Sequence, residues 1–128
     1  MFDELLEARL NIFTDSSADG PEVVPFVRRE LQRIDVPDQH RTDSTLGMFA
    51  SHLFAALCRE RSGEALTEFS ADAAVDAALA ERPNALPASQ ALAERARAEL
   101  AAELPHTEIR ILALHFATIM AKLSKEKS

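Results

Sequence analysis

Wherever this chain is apolar, the apolar residues recur at steps of three and four, the spacing of one face of an α-helix rather than the alternation of a strand. Val24, Val27, Leu31 and Ile34 form one such stripe, Leu46, Ala50, Leu53 and Leu57 a second, and Leu92, Ala96 and Leu100 a third. Three glycines in 128 residues supply too little turn chemistry for an all-β protein, and 47% hydrophobic residues suffice for an interior. The expectation is an all-α compact bundle of five to six helices, one domain spanning residues 1–128.

The pattern places the elements. Phe2, Leu5, Leu6, Ala8, Leu10 and Phe13 predict a first helix with a loop over Thr14–Gly20, so residues 1–20 read as an N-terminal helix and loop. A second helix begins near Pro21 or Pro25, since proline suits a first turn and not a helix interior. Asp35–Asp43 breaks the pattern, and a third helix covers about Ser44–Arg61 and ends at Gly63. Ser70 is a candidate N-cap for a fourth, with Ala71, Ala74, Val75, Ala78 and Leu79 on one face and Asp72 and Asp76 on the other. A fifth runs from about Pro87 to Glu103. Pro105 starts a sixth with Ile109, Leu112, Phe116 and Ile119 inward, and a frayed tail from Lys122.

Charge and composition narrow the function. The 14 Lys and Arg against 21 Asp and Glu give a formal charge of −7 with no basic stripe, and the chain has neither Trp nor Tyr to stack on bases. Direct nucleic-acid binding is therefore not expected. No apolar run approaches the ~20 residues of a membrane span, and the acidic start MFDELLEARL is unlike a signal peptide. The expectation is a cytoplasmic protein that does not enter the membrane. The single Cys58 cannot form an internal disulfide and reads as a small core side chain.

Two segments stand out: MFASHLFAALCRERSGE, residues 48–64, and LPHTEIRILALHF, residues 104–116. Each sets one histidine, His52 or His115, in an apolar helical stretch. An unpaired buried imidazole costs roughly 1 to 3 kcal/mol, so each must find a partner or lie at an accessible seam, and two on separate helices point to a shared polar site. His52 lies in a row with Phe49, Ala56 and Arg59, and Arg59 follows it by two helical turns. That guanidinium could reach toward an anion near the imidazole. Glu108, in the first turn of the last helix, is likewise seven residues before His115.

These two segments resemble the phosphotransferase-system regulation domain, an all-α module of sugar-responsive transcriptional regulators that also occurs as a standalone protein. The resemblance covers about residues 23–122. It rests on His52, Ala55, Ala56 and Arg59 in the first segment and on Pro105, Glu108 and His115 in the second. Ser51 stands where antiterminator members commonly carry an aspartate, and the chain holds one copy of the pattern with no accompanying output module. A small standalone regulator is the reading that follows. The resemblance implies that His52 and His115 are phosphoryl acceptors, that Arg59 and Glu108 support them, that the donor is the histidine phosphocarrier protein or a sugar permease's B component, and that the protein is a homodimer.

Histidine suits the role, because a neutral imidazole nitrogen carries a lone pair that can attack phosphorus. Each residue also has an ordinary explanation: the histidines as structural hydrogen-bonders, Glu108 as a helix-dipole partner, Arg59 as a solvated cation, and His40 and His106 as exposed side chains. Those explanations keep open a helical interaction protein without phosphorylation, a partner for a metabolic enzyme or transporter. A small enzyme using His52 and His115 as acid and base is a further alternative. No metal, cofactor or catalytic turnover is expected. His106 and His115, nine residues apart, face opposite sides of one helix and cannot share an ion, and no phosphate loop or activated-serine motif occurs.

Overall fold

The computed structural model describes residues 2–64 and 72–127. Among these described residues six helices carry the fold: α1 (Glu4–Ser16), α2 (Gly20–Arg33), α3 (Asp43–Arg61), α4 (Asp72–Glu81), α5 (Ala85–Leu100) and α6 (His106–Lys127). A 3-10 turn, Asp38–His40, lies between α2 and α3, and among the described residues there is no strand. This is the all-α bundle that the helical spacing predicts. The suggested cap at Ser70, and Ala71 after it, lie outside the described residues.

The stripes face inward as their periods require. Val27, Leu31, Leu46, Ala50, Leu53, Leu57, Leu92, Ala96 and Leu112 are all completely buried. α6 packs along α5 and crosses α3 and α4, while α1, α2 and α3 form the other side of the core. One correction concerns α1, where Leu6 and Leu10 fill the core as expected but Leu5, expected on the same face, stands out in solvent.

Several helix ends differ from the pattern, each for a local reason. α1 continues to Ser16 because the Thr14 and Ser16 hydroxyls donate to the carbonyls of Leu10 and Phe13, which lets these loop-favouring residues stay helical. Gly20 then opens α2 instead of closing a loop. A Cβ there would lie 2.3 Å from the Thr14 carbonyl oxygen and 2.6 Å from that of Phe13, so only glycine lets α2 begin against the end of α1. Pro25 sits inside α2 and forgoes one backbone bond.

At the end of α3, Gly63 takes a left-handed φ of 78°. Its N–H reaches the Glu60 carbonyl, and that of Glu64 reaches Arg59, the double bond of a Schellman cap. α5 begins at Ala85 and stops at Leu100, three residues before the predicted end, because Ala101 adopts a left-handed φ of 53°. α6 opens at His106 with the Pro105 carbonyl accepting from Ile109, and it runs through Lys127, past the predicted start of the frayed tail.

Polar links that local periodicity cannot foresee tie the helices together. One oxygen of Asp3 caps two of them, accepting from the N–H of Leu6 at 2.9 Å and of Asp43 at 3.2 Å. Arg9 on α1 reaches α3 twice, through Asp43 (2.5 and 3.0 Å) and the Ser51 hydroxyl (2.7 Å). Its guanidinium holds the Asp43 carboxyl below the usual range. Arg61 joins the end of α3 to Asp19, to Glu22 and to the Leu100 carbonyl. The buried Ser89 hydroxyl donates to the Ile109 carbonyl and pins α5 to α6.

Candidate functional site

Where α3 crosses α6, the four residues singled out in the sequence meet. The line Leu46, Ala50, Leu53 and Leu57 faces the core, which turns the adjoining row of His52, Ala56 and Arg59 toward α6. On α6, burial of Leu112 and Phe116 turns Glu108 and His115 toward α3. The imidazole centroids of His52 and His115 lie 5.1 Å apart, with the ring planes tilted by 33°. Phe49, one turn before His52, meets the His115 ring edge-on at 6.4 Å and packs on Phe116 at 4.8 Å.

Glu108 is the centre of the cluster. It occupies the first turn of α6, as its helix-dipole explanation requires, yet it is only 1% exposed and points across the seam. Its Oε2 accepts from Arg59 Nη2 at 2.6 Å. Its Oε1 lies 3.5 Å from His52 Nε2. Both of these facing atoms are sealed from solvent, and neither makes a hydrogen bond among the described residues.

Burial pushes the Glu108 carboxyl up, but His52 and Arg59 outweigh it, so the group is held below the usual carboxylate range and is ionised at neutral pH. Burial, and then the nearness of His52, pull the His115 imidazole below its ordinary value, which keeps that ring neutral.

Arg59 thus sits where the sequence places it, two turns past His52, but one arm of its guanidinium is committed to Glu108 rather than free for an incoming anion. About a third of its side chain remains in solvent. His106 is exposed, whereas His40 is half-buried rather than exposed. Cys58 is half-buried near the Ser17 hydroxyl, and burial raises its thiol pKa. Among the described residues no group of three or more acidic, His or Cys side chains is arranged to hold a metal ion, and no helix is long and apolar enough to cross a membrane.

Away from the seam, Phe2, Glu7, Arg28, Gln32 and Arg41 line an open cleft of about 240 Å³. Its cations are already matched within the fold, Arg28 by Glu7 at 2.7 Å and Arg41 by the Leu31 and Ile34 carbonyls near the end of α2. Sequence reading did not single out Arg9, Asp43, Arg61 or the Glu30–Arg95 pair between α2 and α5. Their partners lie on other helices, and no local spacing signals them. Compared with known proteins, the chain matches no family model, no curated protein and no solved structure.

Proposed function

We propose that the α3–α6 seam is a phosphoryl-acceptor site and that the protein is a regulatory module of the phosphotransferase-system regulation type, serving carbohydrate-responsive control of transcription. The observation that carries this reading is the pair of imidazoles 5.1 Å apart beside a buried, ionised carboxylate and an arginine. His52 and His115 are the acceptors, and the donor is a phosphohistidine on the histidine phosphocarrier protein or on a permease B component. The acceptor's lone pair attacks phosphorus, the donor's P–N bond breaks, and its electron pair returns to the donor imidazole.

The same cluster supplies a response. A phosphoryl group brings nearly two negative charges next to Glu108 and competes with it for Arg59. Drawing the guanidinium off Glu108 removes the ion pair that ties α3 to α6 and leaves a carboxylate without its cation. Such a loss of pairing would couple phosphorylation to the packing of α3 on α6. In a homodimer packed along this face the change would pass to the partner subunit.

The test is intact-mass measurement after incubation with phosphoenolpyruvate, enzyme I and the histidine phosphocarrier, with and without a permease B component. Wild type should gain acid-labile phosphoryl groups, and His52→Ala and His115→Ala should each lose the one on its own ring. No adduct under any of these conditions refutes the reading.

One observation favours a second reading. Leu5, Ile12 and Met48 are 69%, 66% and 71% exposed, and Arg9 joins their two helices between them. Exposed large apolar side chains on two linked helices fit an interaction module that docks a partner without phosphorylation. Ile12→Glu would then abolish partner binding while His52→Ala leaves it intact.

A further inference from the structure

We infer that Glu108 is a positioning residue that holds His52 as its Nε2–H tautomer and leaves Nδ1 as the nitrogen that receives the phosphoryl group. The first half of this statement stands on the geometry alone, and the second rests on the phosphoryl-acceptor reading.

His52 Nε2 and Glu108 Oε1 face each other at 3.5 Å, both shut off from water, with no other hydrogen-bond partner for either among the described residues. A carboxylate oxygen can only accept. A bare lone pair on Nε2 would therefore oppose a negative oxygen and leave both atoms unsatisfied, whereas a proton on Nε2 satisfies both once the gap closes by about half an ångström. The carboxylate cannot turn away to escape, because it is 1% exposed and Arg59 grips its other oxygen at 2.6 Å.

The accessible part of the ring lies elsewhere. The His52 side chain is 22% exposed while Nε2 is sealed, which leaves Nδ1 as the ring nitrogen that the carboxylate does not shut off. With Nε2 protonated, Nδ1 carries the in-plane lone pair. It forms the new P–N bond as the donor's P–N bond breaks and the electron pair returns to the donor ring. His52 keeps its Nε2 proton throughout, and the positive charge that develops on its ring falls beside the Glu108 carboxylate.

The arrangement makes a sharp prediction for Glu108→Gln. Arginine only donates, so Arg59 would claim the glutamine carbonyl and turn the NH₂ toward His52. Nε2 must then accept, and the ring inverts to the Nδ1–H tautomer.

The experiment is ¹⁵N spectroscopy of the His52 ring in the full chain at a pH where the histidines are neutral, together with the position of phosphate on the modified chain by ³¹P spectroscopy. Wild type should show a protonated-type Nε2 and an imine-type Nδ1, the pattern should invert in Glu108→Gln, and phosphate should sit on Nδ1. An Nδ1–H ring in wild type overturns the positioning role without any need for the variant, and an unchanged pattern in a folded Glu108→Gln overturns it as well. Phosphate on Nε2 overturns the nitrogen assignment. Correct tautomers with no phosphate on the chain refute the acceptor reading and the Nδ1 assignment with it, and leave the positioning role established.

Discussion

Glu30 and Glu108 are both buried glutamates, 2% and 1% exposed, and each reaches across a helix seam to an arginine. At the α2–α5 seam, Arg95 meets both oxygens of Glu30 with its fork, at 2.8 and 2.6 Å, and Arg33 approaches from one side at 3.5 Å. At the α3–α6 seam, Arg59 takes one oxygen of Glu108 and leaves the other facing an imidazole. The first carboxylate has both oxygens engaged by one arginine and holds two helices together. The second keeps an unspent acceptor beside a titratable, nucleophilic ring. Burial of a charge does not mark a site; what the charge has left to bind does.

Substitutions separate the two seams. Glu30→Ala removes a two-pronged contact to the half-buried Arg95 and empties a buried position, and should cost about 2 kcal/mol in denaturant unfolding. Glu108→Gln keeps the side chain's shape and its single hydrogen bond from Arg59, so it should cost only about 1 kcal/mol. Equal losses would erase the distinction between the two seams.

Acid should also find the α3–α6 seam. The folded-state pKa of His115 lies below its ordinary 6.5, so stability is intact above 6.5 and falls as the pH drops toward the depressed value. His115→Leu should flatten that part of the curve. The pKa of Glu108 is lowered from 4.5, so its contribution is complete above 4.5 and is lost only at lower pH, where Asp43 and Glu7 titrate as well. The smallest effects belong to the cations. Arg95→Lys loses a two-pronged contact and should cost about 1 kcal/mol, whereas Arg59→Lys keeps its single contact and should cost less than about 0.5 kcal/mol.

How much of this was legible in the sequence follows from the range of each interaction. Steps of three and four found the buried line on α3, and the seven-residue intervals from His52 to Arg59 and from Glu108 to His115 put each pair on one side of its helix. That Arg59 binds Glu108, 49 positions away, depends on how α3 crosses α6, which local spacing does not encode. Helix ends failed where residue type alone does not announce them. Gly20 reads as a loop residue until the carbonyls of α1 are seen pressing on it. Ala101 ends α5 in a conformation for which alanine gives no signal.

If the α3–α6 seam carries the chemistry and the α2–α5 seam only stability, phosphoryl transfer rates to wild type, Glu108→Gln and Arg95→Lys should diverge, since the two variants touch matching seams and both should fold. Glu108→Gln should slow transfer about a hundredfold while Arg95→Lys stays close to wild type. Equal rates for the two variants would refute that division.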